Sequence, residues 1–233
     1  QFNANGDYTI YFNSNSPSNT TLHFTYFGSF TGSIDNVSVK EVISATNTPR
    51  LDYSTGSEAF LLEPQSTNLI TYSSNFSDAS WSKVNCIIGS ETVSSPSGVI
   101  GVSSVTNTSI FGRLSTIQNV NSGISYTYSF WCKNIDITTP LSIYLNNSGI
   151  SLDTFTPTSE WVRYQFTWTS SSTITETIAI QDRIGTALGS YMIWGAQLEE
   201  QTYATSYIPT SGSTVTRNQD VCTNGGSLAS INS

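Results

Sequence analysis

Glu199 and Glu200 stand side by side in "YMIWGAQLEEQTYATSYIP", and a carboxylate pair is the first place to look for acid–base chemistry. A glycosidase needs two carboxyl groups roughly 5 to 9.5 Å apart across one substrate. Neighbouring residues of a strand point to opposite faces of a sheet, so these two do not form such a dyad. One of them is left to cap a segment or hold an ion. His23 is the single histidine, in "TTLHFTYF", with no serine or cysteine partner in a recognisable motif, and a structural role is expected of it. The sequence contains no nucleophile-elbow, zinc-protease, phosphate-loop or dinucleotide fingerprint. The expectation is therefore a protein that is not an enzyme.

Binding chemistry is better represented. In "YTYSFWCK" a period of two places Tyr126, Tyr128, Phe130 and Cys132 on one face, and Thr127, Ser129, Trp131 and Lys133 on the other. The first set is the natural core face, which leaves Trp131 and Lys133 outward. The same alternation turns Tyr144 and Asn146 of "LSIYLNNS" outward while Ile143 and Leu145 point in. In "WVRYQFTW" it sends Val162, Tyr164, Phe166 and Trp168 in, with Trp161, Arg163 and Gln165 out. "IAIQDR" repeats it, with Ile178 and Ile180 in and Gln181 and Arg183 out. If these strands are neighbours in one sheet, aromatic rings lie beside amide and guanidinium groups on one open face. Flat rings suit the C–H faces of a sugar, and planar polar groups suit its hydroxyls. The alternative is that Trp131 and Tyr144 are covered by a loop or a neighbouring subunit, and that Trp161 packs at a strand end. Calcium, a hard cation that prefers oxygen ligands, has three candidate carboxylates: Glu63, Asp78 and Glu199. Cys86, Cys132 and Cys222 are odd in number and lack zinc-ligand spacing. Cys86 and Cys132 read as core residues, and Cys222 as exposed in a polar tail.

The elements that must position these side chains are short and β-like. From Trp81 onward the strings "WSKVNCIIG", "GVIGVSSV", "RLSTIQNV", "SYTYSFWCKN", "LSIYLNNS", "WVRYQFTWTS", "TITETIAIQD" and "SYMIWGAQLE" recur with loops between them. That spacing, with only one helical turn suggested at "NFSDASW", predicts an antiparallel β-sandwich. Tyr191–Leu198 is expected to be the last strand, with Trp194, Ala196 and Leu198 on the core face. "TYATSYIP" then runs back over the sandwich, laying Tyr203 and Tyr207 against it, until Pro209 ends regular pairing.

Composition agrees with this class. Charged residues make up 10% of the chain and aromatics 12%, a mixture that fits a pleated sheet better than a helix. The formal charge of -8 and the lack of a Lys/Arg run argue against nucleic acid as a partner. No apolar stretch approaches the ~20 residues of a membrane-crossing helix, so no membrane partner is expected. Residues 1–43 read as the closing strands of a preceding, incomplete β-sandwich or as a partial sheet completed by another chain, and 44–66 as a connector and first edge strand. The antiparallel β-sandwich is expected over 67–217, and 218–233 as a polar tail.

Two strings carry a resemblance. "PRLDYSTGSEAFLLEPQSTNLITYSSNFSDASW" and "YMIWGAQLEEQTYATSYIPTSGSTVTR" resemble a module of bacteriophage tail and fibre proteins, which is itself similar to the jelly-roll carbohydrate-binding domains of the family 4/9 type. "FTGSIDNVSVKEV" resembles the last strand of a preceding copy, and "DVCTNGGSLASINS" the lead-in to a further lectin-like domain. The resemblance implies an all-β jelly roll in a virion appendage or outside the cell, contacting a host-surface glycan or polysaccharide. The alternatives it implies, in second and third place, are a purely structural fibre module, homo-oligomeric as a trimer, and a binding module of a secreted polysaccharide-degrading enzyme. Relatives that bind calcium often end the last strand in acidic residues. Here Gly195, Ala196 and Gln197 come first.

Overall fold

The computed structural model describes residues 50–52, 59–186 and 188–220. The chain divides into two compact units, Gln1–Ser44 and Ala45–Ser233. The expected strands before residue 44, His23, Cys222 and most of the expected tail lie outside the described residues.

All regular structure among the described residues is β. Two short ribbons come from β1 (Arg50–Asp52) with β2 (Ala59–Leu61) and from β3 (Ser66–Asn68) with β14 (Val215–Arg217). The remaining strands are β4 (Trp81–Val84), β5 (Cys86–Ser94), β6 (Ile100–Asn107), β7 (Arg113–Val120), β8 (Ser125–Asn134), β9 (Leu141–Leu145), β10 (Ile150–Phe155), β11 (Val162–Thr169), β12 (Ile174–Gln181) and β13 (Gly189–Glu199). They form two five-stranded antiparallel sheets, ordered β10-β9-β12-β7-β4 and β11-β8-β13-β6-β5. From β6 to β9 and again from β10 to β13 the chain changes sheet at every connection, which is the jelly-roll path. The first sheet is named after β12 below and the second after β8. "NFSDASW" makes turns and no helix. The strand break between β4 and β5 falls at Asn85, whose φ of 51° lies in the left-handed region. No helix among the described residues is long and apolar enough to cross a membrane.

The core lies between the sheets and is set by alternation. Tyr126, Tyr128, Phe130 and Cys132 of β8 are buried, as are Ile143 and Leu145 of β9, Phe166 and Trp168 of β11, and Ile178 and Ile180 of β12. Phe130 is its aromatic centre, with ring centroids 5.4 Å from Phe155 of the facing sheet, 6.2 Å from Phe166 and 5.3 Å from Tyr128. Cys86 and Cys132 are unpaired and buried, and desolvation raises both thiol pKa values above the ordinary range.

Register shifts interrupt β5, β10 and β13, and the one on β13 reverses which side chains face the core. Ile193 pairs with Cys132 and Trp194 with Trp131, but Gln197 pairs with Ser129, so β13 holds one more residue than β8 across this stretch. The extra residue is a bulge built on Gly195, which has φ +65°. Upstream of it Tyr191 and Ile193 face the core; downstream Ala196 and Leu198 do. Trp194 therefore faces the other way, joining Val102 and Met192 on the outside of the β8 sheet, which corrects the expectation that it shares the core face with Ala196 and Leu198. A β-carbon at residue 195 would sit 2.9 Å from the Trp131 ring. Gly195→Ala is thus expected to lose about 1–2 kcal/mol from the left-handed backbone alone, with the ring contact adding to it, as urea denaturation would show.

Candidate functional site

The nine side chains expected to form one binding face are divided between two sheets. Trp131, Lys133, Trp161, Arg163 and Gln165 belong to the β8 sheet or its entry, and Tyr144, Asn146, Gln181 and Arg183 to the β12 sheet or its exit. They therefore lie on opposite outsides of the sandwich. Alternation had fixed which way each side chain points, and strand pairing separated them.

On the outer side of the β8 sheet residues 200–210 strap across β8, β11 and β13. Tyr207 lies 5.7 Å from Trp131 and 4.5 Å from Trp194 between ring centroids, and its hydroxyl is 2.6 Å from that of Ser73. The expected laying-down of the tyrosines holds for Tyr207, whereas Tyr203 is exposed. Thr127 and Ser129, outward by pattern, are buried because the Thr127 hydroxyl donates to the Gln201 carbonyl and the Arg163 guanidinium reaches Ser129. Arg163 also stacks on Trp131, with Cζ 4.4 Å from the ring centroid. Burial pulls its guanidinium below the ordinary value, against the pull of Glu199 and Glu63. The Trp161 indole donates to the Ser94 carbonyl, and the Gln165 side chain accepts from the Ala204 amide. Lys133 is half-buried at the end of β8.

Two of the proposed calcium ligands anchor that strap. Buried Glu199 accepts from the Ser66 hydroxyl at 2.7 Å, the Thr205 amide at 3.0 Å and the Thr205 hydroxyl. Buried Glu63 accepts from the Ser206 amide at 2.6 Å and pairs with Arg217 at 2.6 Å. These partners present protons, whereas calcium requires about six to eight oxygen ligands. Asp78 lies elsewhere, in a turn where its carboxylate accepts from the Ser80 amide. Among the described residues no three His, Cys, Asp or Glu side chains converge. As arranged, Glu63, Asp78 and Glu199 do not fit a shared calcium site.

The outer side of the β12 sheet is different. A cleft of ≈ 430 Å³ is lined by Val84, Asn85, Phe111, Arg113, Gln181, Asp182 and Arg183. Its floor is one register row, Val84–Arg113–Gln181, contributed by β4, β7 and β12. Leu114 and Ile180 point into the core, so Arg113 and Gln181 must point out. Arg183 leaves the end of β12 and folds back over Tyr144, with Cζ 3.9 Å from the ring centroid. Asn146 sits at the far end of β9, its amide donating to Thr177.

The loops that wall this cleft converge on one carboxylate. Asp182 is buried and accepts from the amides of Phe111, Ile184, Gly185 and Thr186, at 2.9 to 3.2 Å. Its own amide donates to the Gly112 carbonyl. This joins the loop before β7 to the loop after β12. Phe111, 52% exposed, packs against Gly185, where a β-carbon would come within 2.8 Å of the ring. Asn85 and Phe111 are the two non-glycine residues with positive φ among the described residues, at 51° and 61°, and both line this cleft. Asparagine adopts that region readily and phenylalanine does not, so strain is held here. The sequence reading missed Asn85, Phe111, Arg113 and Asp182. Alternation in "RLSTIQNV" could have found Arg113, since Leu114 is the inward residue. The other three depend on loop contacts that no local pattern encodes.

Chemically, the cleft offers one exposed ring, two guanidinium groups and two amides, with the Tyr144 ring beneath Arg183. Nothing in it resembles a positioned nucleophile and base.

No protein family model matches the chain, and no curated protein matches it. Among solved structures it is similar to the xylan-binding CBM22-1 domain of a Paenibacillus barcinonensis protein, with TM-score 0.41 and 11% identity over 60% of this chain and 94% of that one. A carbohydrate-binding module of Cellvibrio mixtus lichenase 5A, solved in complex with cellotriose, is similar at TM-score 0.39 and 15% identity, covering 59% of this chain and 97% of that one. The enzymatically active domain of tailspike protein 4 of bacteriophage CBA120 is similar at TM-score 0.39 and 13% identity, over 56% of this chain and 21% of that one. The all-β jelly-roll sandwich of this chain rests on its own strand register.

Proposed function

We propose that this chain is a non-catalytic carbohydrate-binding module of a phage tail fibre or related virion appendage, contacting a host-surface glycan through the cleft on the β12 sheet. The observation that carries the reading is the convergence in that cleft of Phe111, Arg113, Gln181 and Arg183 beside Tyr144, on strained loops fastened by Asp182. Aromatic faces beside planar donors and acceptors are what a pyranose requires, and backbone strain collects at ligand sites. The phage setting is supported by the resemblance of residues 49–81 and 191–217 to tail-fibre modules.

A glycan array followed by calorimetry on the best hit tests it. Tyr144→Ala is expected to weaken binding about tenfold, equivalent to ~1.4 kcal/mol, with the thermal midpoint little changed. If affinity survives in Tyr144→Ala and Phe111→Ala but falls in Trp131→Ala, the site is on the β8 sheet instead.

A second reading is a structural fibre module whose outer surface packs against other subunits. It is favoured by three large apolar side chains exposed on the loops around the cleft, Ile110, Ile184 and Leu188. A stable oligomer in light scattering, with no array hit, would select it.

A further inference from the structure

Acidic residues outnumber Lys and Arg by 16 to 8 over the whole chain, yet the cleft has the opposite local balance. Of its seven lining residues two are arginines, Arg113 and Arg183, and one is acidic. That acid, Asp182, turns its oxygens to backbone amides of the two loops. Among the described residues neither arginine enters an ion pair; Arg183 rests on the Tyr144 ring.

Arg113 supplies the other half of the grip from the floor of the cleft, on the outward side of β7 in one register row with Val84 and Gln181. A guanidinium presents its donors as a planar fork that fits a carboxylate or sulfate in two-point contact. Carboxylates farther away than the Debye length, about 8 Å at physiological ionic strength, do little to oppose an anion in the cleft.

We propose that the cleft takes an anionic saccharide, with Arg113 and Arg183 gripping a uronate carboxylate or a sulfate ester while Phe111 meets a ring face and the Tyr144 ring backs Arg183. This rests on the glycan reading of the same cleft and narrows it to acidic sugars.

The test is calorimetry on the full chain with three probes: a galacturonate oligomer, a sulfated heparin fragment and a neutral xylo-oligosaccharide. Each is titrated at about 0.05 M and about 0.5 M sodium chloride, which changes the screening length about threefold. At least one anionic probe is expected to bind about tenfold or more tighter than the neutral one at low salt and to lose most of that advantage at high salt. Binding of the galacturonate alone assigns a carboxylate; binding of the heparin fragment alone assigns a sulfate. Arg113→Gln and Arg183→Gln should each remove the advantage, and Arg183→Lys should restore only part of it, because charge returns without the fork. Circular dichroism monitors folding, and if Arg113→Gln fails to fold, Arg183→Gln on its exposed loop decides. Equal, salt-insensitive affinity for all three probes that persists in both glutamine variants would overturn the anionic inference and leave the glycan reading standing. No binding of any probe, together with an empty glycan array, would bring down both.

Discussion

Phe130→Ala is expected to destabilise the sandwich by about 3–5 kcal/mol, the range for removing a buried aromatic side chain. Phe130 is fully buried on β8, and its ring contacts reach Tyr128 on its own strand, Tyr164 and Phe166 on β11, and Phe155 in the opposite sheet. Alanine would leave a cavity with rings on several sides, and β8 cannot shift to fill it without breaking its pairing with both β11 and β13. Packed interiors recover such volumes only partly. The measurement is urea denaturation followed by tryptophan fluorescence. A loss under 1 kcal/mol with an unchanged slope would mean that the two sheets do not meet at this ring.

Glu199→Ala is expected to destabilise by about 3 kcal/mol, because losing a buried charged acceptor exposes the desolvation penalty of every donor it served. Those donors are the Ser66 hydroxyl and the amide and hydroxyl of Thr205, drawn from either side of the sandwich strands in sequence. Their loss should free the strap as well as lower stability. Tyr207 would then lift from Trp131 and Trp194, so indole fluorescence should move to longer wavelength before global unfolding, and amides around Thr205 and Ser206 should exchange hydrogen faster. Glu199→Gln, which keeps one acceptor oxygen, is expected to recover part of the loss. If Glu199→Ala behaves like a surface substitution, within ±0.5 kcal/mol, the strap is held by its aromatic contacts alone.

These two residues also mark how far the sequence could be read. Phe130 was legible as core from the spacing in "YTYSFWCK". Glu199 was legible only as a carboxylate suited to cap a segment or hold an ion. Its partners lie at Ser66, 133 residues away, and at Thr205, beyond the end of β13. Nothing in "LEE" distinguishes a hydrogen-bonding anchor from a ligand for a cation.

The sequence by itself determined the class of the fold and which side of β8, β9, β11 and β12 faces the core. A period of two is a property of the extended backbone, and burying one side selects its phase without reference to any other strand. Tertiary structure decided three further matters. It placed β8 and β11 in one sheet and β9 and β12 in the other, which split the expected binding face, because partner choice depends on pairings between distant segments. It inverted the phase of β13 at Gly195, where one bulged residue sends Trp194 outward. It also folded residues 200–210 over one sheet and left the other with a cleft, because a covering segment is fixed by long-range hydrogen bonds and ring contacts, such as those of Asn68, Gln197 and Tyr207, that leave no periodic trace in the chain.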